Sequence, residues 1–99
     1  MKNQNKKAQD ESVEILYEND FIRVEYVKMS SKVSPEGFWY DVPEDEWAFL
    51  ISGYIVFEYR STGEIIRYKN GTSFTIPSHT VHRLLGTAQD CAVLCVFSK

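Results

Sequence analysis

Two segments of this 99-residue chain hold side chains able to grip a ligand. Residues 46–53, EWAFLISG, open on the carboxylate of Glu46 and close on a glycine. Residues 71–82, GTSFTIPSHTVH, run from a glycine through an apolar stretch and a proline to the imidazole of His82. A carboxylate oxygen and an imidazole nitrogen that share a cavity hold a divalent metal or orient a polar small molecule. The two residues therefore need elements that bring them to the same end of one interior.

Strand alternation says which face each occupies, because successive side chains point to opposite sides. In residues 46–52, Glu46 groups with Ala48, Leu50 and Ser52, and Trp47, Phe49 and Ile51 lie opposite. In the later segment His82 groups with Leu84, and Val81, Arg83 and Leu85 lie on the other face. With the small face of the first strand turned inward, Glu46 is its one charged group. An inward carboxylate is costly unless an ion or a hydrogen bond meets it. A metal ion or His82 would supply that.

The surrounding chain reads as strands throughout, with no helical periodicity. Residues 13–18 end at the turn pair Asn19-Asp20, and residues 21–29 alternate as a half-buried strand, Ile22, Val24 and Tyr26 on one face, Arg23 and Glu25 on the other. Residues 30–44 are irregular, punctuated by Pro35, Gly37 and Pro43, yet carry Phe38, Trp39 and Tyr40, a cluster suited to packing over the mouth of a barrel. Further strands span 46–52 and 54–59, expected to pair through Gly53, then 64–69 after Thr62-Gly63, 72–76, 81–85 and 92–97. Asn70-Gly71 is the strongest hairpin signal. Residues 1–12 are a polar segment expected to be a flexible tail, and residues 13–99 one all-β barrel domain of about eight strands.

The totals agree. Hydrophobic content of 43% with 14% aromatics suits a folded globule, and the length allows one domain with a small core. A net charge of −3 offers nothing to nucleic acid. No apolar run reaches the ~20 residues of a membrane helix, and the amino terminus lacks the apolar stretch of a secretion signal, so a cytoplasmic protein is expected. Cys91 and Cys95 sit four apart in one strand, roughly 13 Å between α-carbons, too far for a disulfide. They read as small core hydrophobes.

These residues resemble the cupin superfamily. Its first motif ends in a glutamate, six residues and a glycine, matched by Glu46 and Gly53; its second is matched by Gly71, Pro77 and His82. The resemblance spans roughly residues 35–97 and implies a jelly-roll barrel, a double-stranded β-helix. In the family the glutamate and histidine bind a divalent metal with two histidines of the first motif. Those are missing here: the matching positions are Trp39 and Asp41, or Tyr40 and Val42, depending on the spacing used. On this resemblance the expected metal set is Asp41, Glu46 and His82, for Zn, Fe, Mn or Ni, with no bound metal as the alternative. Trp39, Tyr40 and His79 are the expected ligand contacts. His79 stands where the family has a glycine, so its turn calls for a left-handed backbone. The resemblance also implies a homodimer. Two functions follow: a metal-dependent enzyme acting on a small molecule, or a metal-free module binding a sugar or organic acid without catalysis.

Overall fold

The computed structural model describes residues 11–99. Eight strands follow in order: β1 (Glu11–Glu18), β2 (Ile22–Met29), β3 (Asp45–Ser52), β4 (Tyr54–Tyr59), β5 (Ile65–Lys69), β6 (Ser73–Ile76), β7 (His82–Thr87) and β8 (Cys91–Ser98). β1 begins at Glu11, slightly ahead of the expected domain start, and residues 1–10 of the expected tail lie outside the described residues. No helix among the described residues is long and apolar enough to cross a membrane.

The strands form two antiparallel sheets, one ordered β1-β2-β8-β3-β6 and the other β5-β4-β7. Strands adjacent in the chain part company at two of the expected pairing turns. β3 and β4 do not pair through Gly53, and Asn70-Gly71 does not close a hairpin, because β3 is already flanked by β8 and β6, and β4 by β5 and β7. Both turns carry the chain from one sheet to the other. Gly53 takes φ +86°, and a Cβ there would lie 2.5 Å from the Asp90 carbonyl oxygen, so only glycine fits. At the other corner Gly71 N–H donates to Leu50 O at 2.7 Å and Leu50 N–H to Thr72 O at 2.9 Å. Thr62-Gly63 does close a hairpin, joining β4 to β5, with Tyr59 N–H donating to Glu64 O at 2.8 Å. These crossings make the two-sheet jelly roll.

The core lies between the sheets. Ala48, Leu50, Val93 and Cys95 of the larger sheet meet Ile55, Phe57 and Leu84 of the smaller, and Leu50 and Ile55 are 0% and 1% exposed. Trp47 and Ile51, on the opposite face of β3, are 42% and 45% exposed, as the alternation requires. β2 turns the less obvious way. Cross-strand partners share a face, and Glu25 opposes Cys95 while Val27 opposes Val93, so its charged face looks inward. Ile22, Val24 and Tyr26 lie on the outside of the sheet beside Leu94 and Val96.

Candidate ligand pocket

Between the sheets at one end of the barrel is a cavity of about 180 Å³. β3 of the larger sheet brings Glu46 to it and β7 of the smaller sheet brings His82. The crossing of the chain between sheets is what sets these two side chains on opposite walls. Tyr40 and Val42 also line the cavity, from the irregular segment before β3. That segment is held in register by an isolated bridge, with Tyr40 N–H donating to His82 O at 2.6 Å and His82 N–H to Tyr40 O at 3.1 Å. The Tyr40 ring stacks on the His82 ring at 5.3 Å between centroids, and Phe57 meets the same imidazole edge-on at 5.0 Å.

His82 is 5% exposed. Its Nδ1 lies 2.7 Å from the Thr80 carbonyl oxygen, which can only accept, so Nδ1 carries the proton. In the neutral ring Nε2 is then an unprotonated acceptor for the cavity. Burial holds the imidazole below its ordinary value, against the Thr80 bond, which favours the charged form. Glu46 is shifted the other way: burial raises its carboxyl above the usual range, only partly offset by the Cys95 thiol that donates to it. Burial and the neighbouring Glu46 push the Cys95 thiol up as well, so it is a hydrogen-bond donor rather than a thiolate.

The other expected site residues lie elsewhere. Asp41 follows Tyr40 and therefore points away from the cavity; its Oδ1 meets His79 Nδ1 at 2.8 Å on the rim, with the two side chains 55% and 67% exposed. His79 has the left-handed backbone expected, φ 58°, and its N–H donates to Val42 O at 2.7 Å. Trp39 also faces outward, with the guanidinium carbon of Arg83 4.5 Å from its ring centroid and that of Arg60 at 5.5 Å. Asp41, Glu46 and His82 thus do not converge, and of Trp39, Tyr40 and His79 only Tyr40 lines the cavity. Between the two alignments left open by the motif spacing, the inward pair is Tyr40 and Val42.

The cupin fold implies a divalent metal, and the donors present do not suit one. Catalytic metal sites use about three protein ligands and structural ones four. Among the described residues no three of His, Cys, Asp or Glu gather so as to hold a cation. Tyr40 and Cys95 are poor substitutes, since burial favours the protonated form of each.

Sequence reasoning missed Glu25, Cys95, Phe57 and Phe74 as lining residues. Glu25 could have been found only by pairing β2 with β8, which opposes it to Cys95. Its carboxylate accepts from Arg23 Nε at 2.7 Å, and Arg23 is held in turn by Glu44 at 2.8 and 3.0 Å, so Glu44 belongs to a half-buried ion pair at the barrel mouth.

No family model and no curated protein matches the chain. Solved structures do. A mannose-6-phosphate isomerase candidate from Ralstonia eutropha JMP134 is 29% identical, with a TM-score of 0.85 over 91% of this chain and 85% of its own. A cupin-2 domain containing protein from Shewanella frigidimarina NCIMB 400 is 17% identical, with a TM-score of 0.72 over 100% of this chain and 93% of its own. A cupin superfamily protein from Desulfitobacterium hafniense DCB-2 is 11% identical, with a TM-score of 0.76 over 90% and 77%. With eight strands in two antiparallel sheets and an acid and an imidazole facing one cavity between them, the chain is a small single-barrel protein of the cupin fold.

Proposed function

We propose that this barrel binds a small organic molecule directly, without a metal, and that Glu46 and His82 orient it from opposite walls. The observation that carries the reading is the pair itself: two polar groups on different sheets, opening on one cavity with a mostly apolar lining, part aliphatic and part aromatic. Pockets that hold small ligands have this composition, an apolar lining with a few convergent polar groups. The His82 tautomer set by Thr80 supports it, since Nε2 is left to accept from a ligand. A metal-dependent enzyme is the weaker reading, because among the described residues no three donors gather within reach of one cation. The phosphosugar named for the Ralstonia neighbour does not suit this cavity, which is lined by Glu11, Glu25 and Glu46 and, among the described residues, by no lysine or arginine.

The test combines elemental analysis with thermal shift on protein purified without chelators. The expected result is well under one equivalent of metal, a melting temperature indifferent to EDTA, and stabilisation by small organic molecules that the cavity-filling variant Leu84→Trp loses. Near-stoichiometric metal that disappears in His82→Ala would overturn the reading.

A further inference from the structure

The lining of the cavity is one-sided in charge. Three carboxylates, Glu11, Glu25 and Glu46, border it, and no lysine or arginine does so among the described residues. Two of the three already have cations supplied from outside the lining: Glu11 is paired with Lys32, and Glu25 with Arg23 at 2.7 Å. Glu46 has no ion-pair partner among the described residues; its neighbour is the Cys95 thiol. A half-buried carboxyl group facing the cavity, with Arg23 acting on it only from beyond ion-pair distance, is a costly arrangement unless a guest completes it.

Part of the wall is aromatic. Phe57, Phe74 and Tyr40 line the cavity with His82, and Phe57 meets Phe74 edge-to-face at 5.8 Å. Ring faces attract cations, more strongly where water is excluded. One lining ring already does so: the Arg23 guanidinium carbon lies 4.4 Å from the Phe97 centroid. His82 adds an acceptor at Nε2, to which an ammonium N–H can donate and a carboxylate or phosphate oxygen cannot.

We propose that the ligand is a small organic ammonium ion, seated against these rings with Glu46 as its counter-ion and His82 Nε2 as its hydrogen-bond acceptor. The proposal rests on the pocket reading above and names the charge of what the pocket takes. An anion would meet Glu46, with no lysine or arginine in the lining to offset it among the described residues. A neutral guest would leave Glu46 without a counter-charge and gain little from the ring faces. The volume of about 180 Å³ slightly exceeds that of engineered apolar cavities that admit benzene, which sets the scale at one ring or a short branched chain.

Benzylammonium, benzyl alcohol and benzoate share a shape and carry charges of about +1, 0 and −1 at neutral pH. Titration calorimetry of the full chain with each, at low salt, tests the assignment. Benzylammonium is expected to bind at least about ten-fold more tightly than benzyl alcohol, the order expected of one added charge contact, and benzoate to be excluded. Glu46→Gln should abolish most of that preference, read as the ratio of ammonium to alcohol affinity, and a cooperative urea transition shows that the variant is folded. Phe57→Leu should weaken the ammonium more than the alcohol. Equal or tighter binding of the alcohol or of benzoate would overturn the charge assignment and leave the pocket reading standing. An ammonium preference unchanged in Glu46→Gln would overturn the role of Glu46. Failure of all three probes to bind would overturn both readings.

Discussion

Two carboxylate–imidazole sets stand near each other in this barrel and are opposites in every physical respect. Asp41 and His79 lie on the rim, in direct contact at 2.8 Å and mostly exposed to solvent. Glu46 and His82 lie inside, on different sheets, each shifted by burial toward its uncharged form. The rim pair satisfies itself and is screened by water, so it has little to offer a ligand and little to add to stability. The interior set is held apart, with each polar group anchored on one side only, Glu46 by the Cys95 thiol and His82 by the Thr80 carbonyl. Proximity of an acid to a histidine is thus a poor guide to function here. The separated set is the one poised to bind.

The largest effect expected from breaking the interior set comes from His82→Ala. The substitution removes a 5% exposed ring that stacks on Tyr40 and abuts Phe57, and it leaves the Thr80 carbonyl without its donor. A loss of roughly 3 kcal/mol in urea unfolding is expected, the sum of a truncation in the core and an orphaned acceptor. Asp41→Asn, which touches only the rim, is expected to cost less than about 1 kcal/mol. Similar losses from the two would erase the contrast.

The pH dependence sharpens it. Glu46 is raised in the folded protein, so its contribution is complete below the ordinary carboxyl range and is lost as pH rises through its folded value. His82 is lowered, so its contribution is complete above the ordinary imidazole range and is lost as pH falls through its folded value. Unfolding followed across this span should show Glu46→Gln removing the decline that begins above the ordinary carboxyl range. An unchanged profile in that variant would mean that the carboxyl of Glu46 is not held above its ordinary range.

Much of this is legible in the chain itself. Turn residues and alternation located eight strands to within a few residues, because glycine, proline and β-branched runs act locally. Alternation also turned Glu46 and His82 inward. Pairing was not legible. Gly53 and Asn70-Gly71 are sound turns, but whether a turn joins neighbours in one sheet or crosses to the other depends on which strands already occupy the edges. The orientation of β2 was not legible for the same reason, since Ile22, Val24 and Tyr26 face outward and only β8 reveals it. Asp41 was misleading because the segment ahead of β3 is irregular, and one residue of register moves a side chain from the cavity to the rim.

The rim admits the finest test. His79 holds φ 58° without being a glycine, a conformation that costs a side-chain-bearing residue on the order of 1 kcal/mol. His79→Gly removes that strain and also removes the Asp41 contact, while giving the unfolded chain more freedom to lose. These terms oppose one another, so the variant is expected within about 0.5 kcal/mol of the parent. His79→Ala keeps a Cβ in the same left-handed turn and loses the contact, so it should be the less stable of the two. The order of the two melting temperatures, glycine above alanine, is therefore set by the backbone. The reverse order would mean that the left-handed backbone at 79 does not rank the two, and a loss beyond about 1 kcal/mol in the glycine variant would mean that the Asp41–His79 contact holds the segment before β3 in place and supports the cavity from outside.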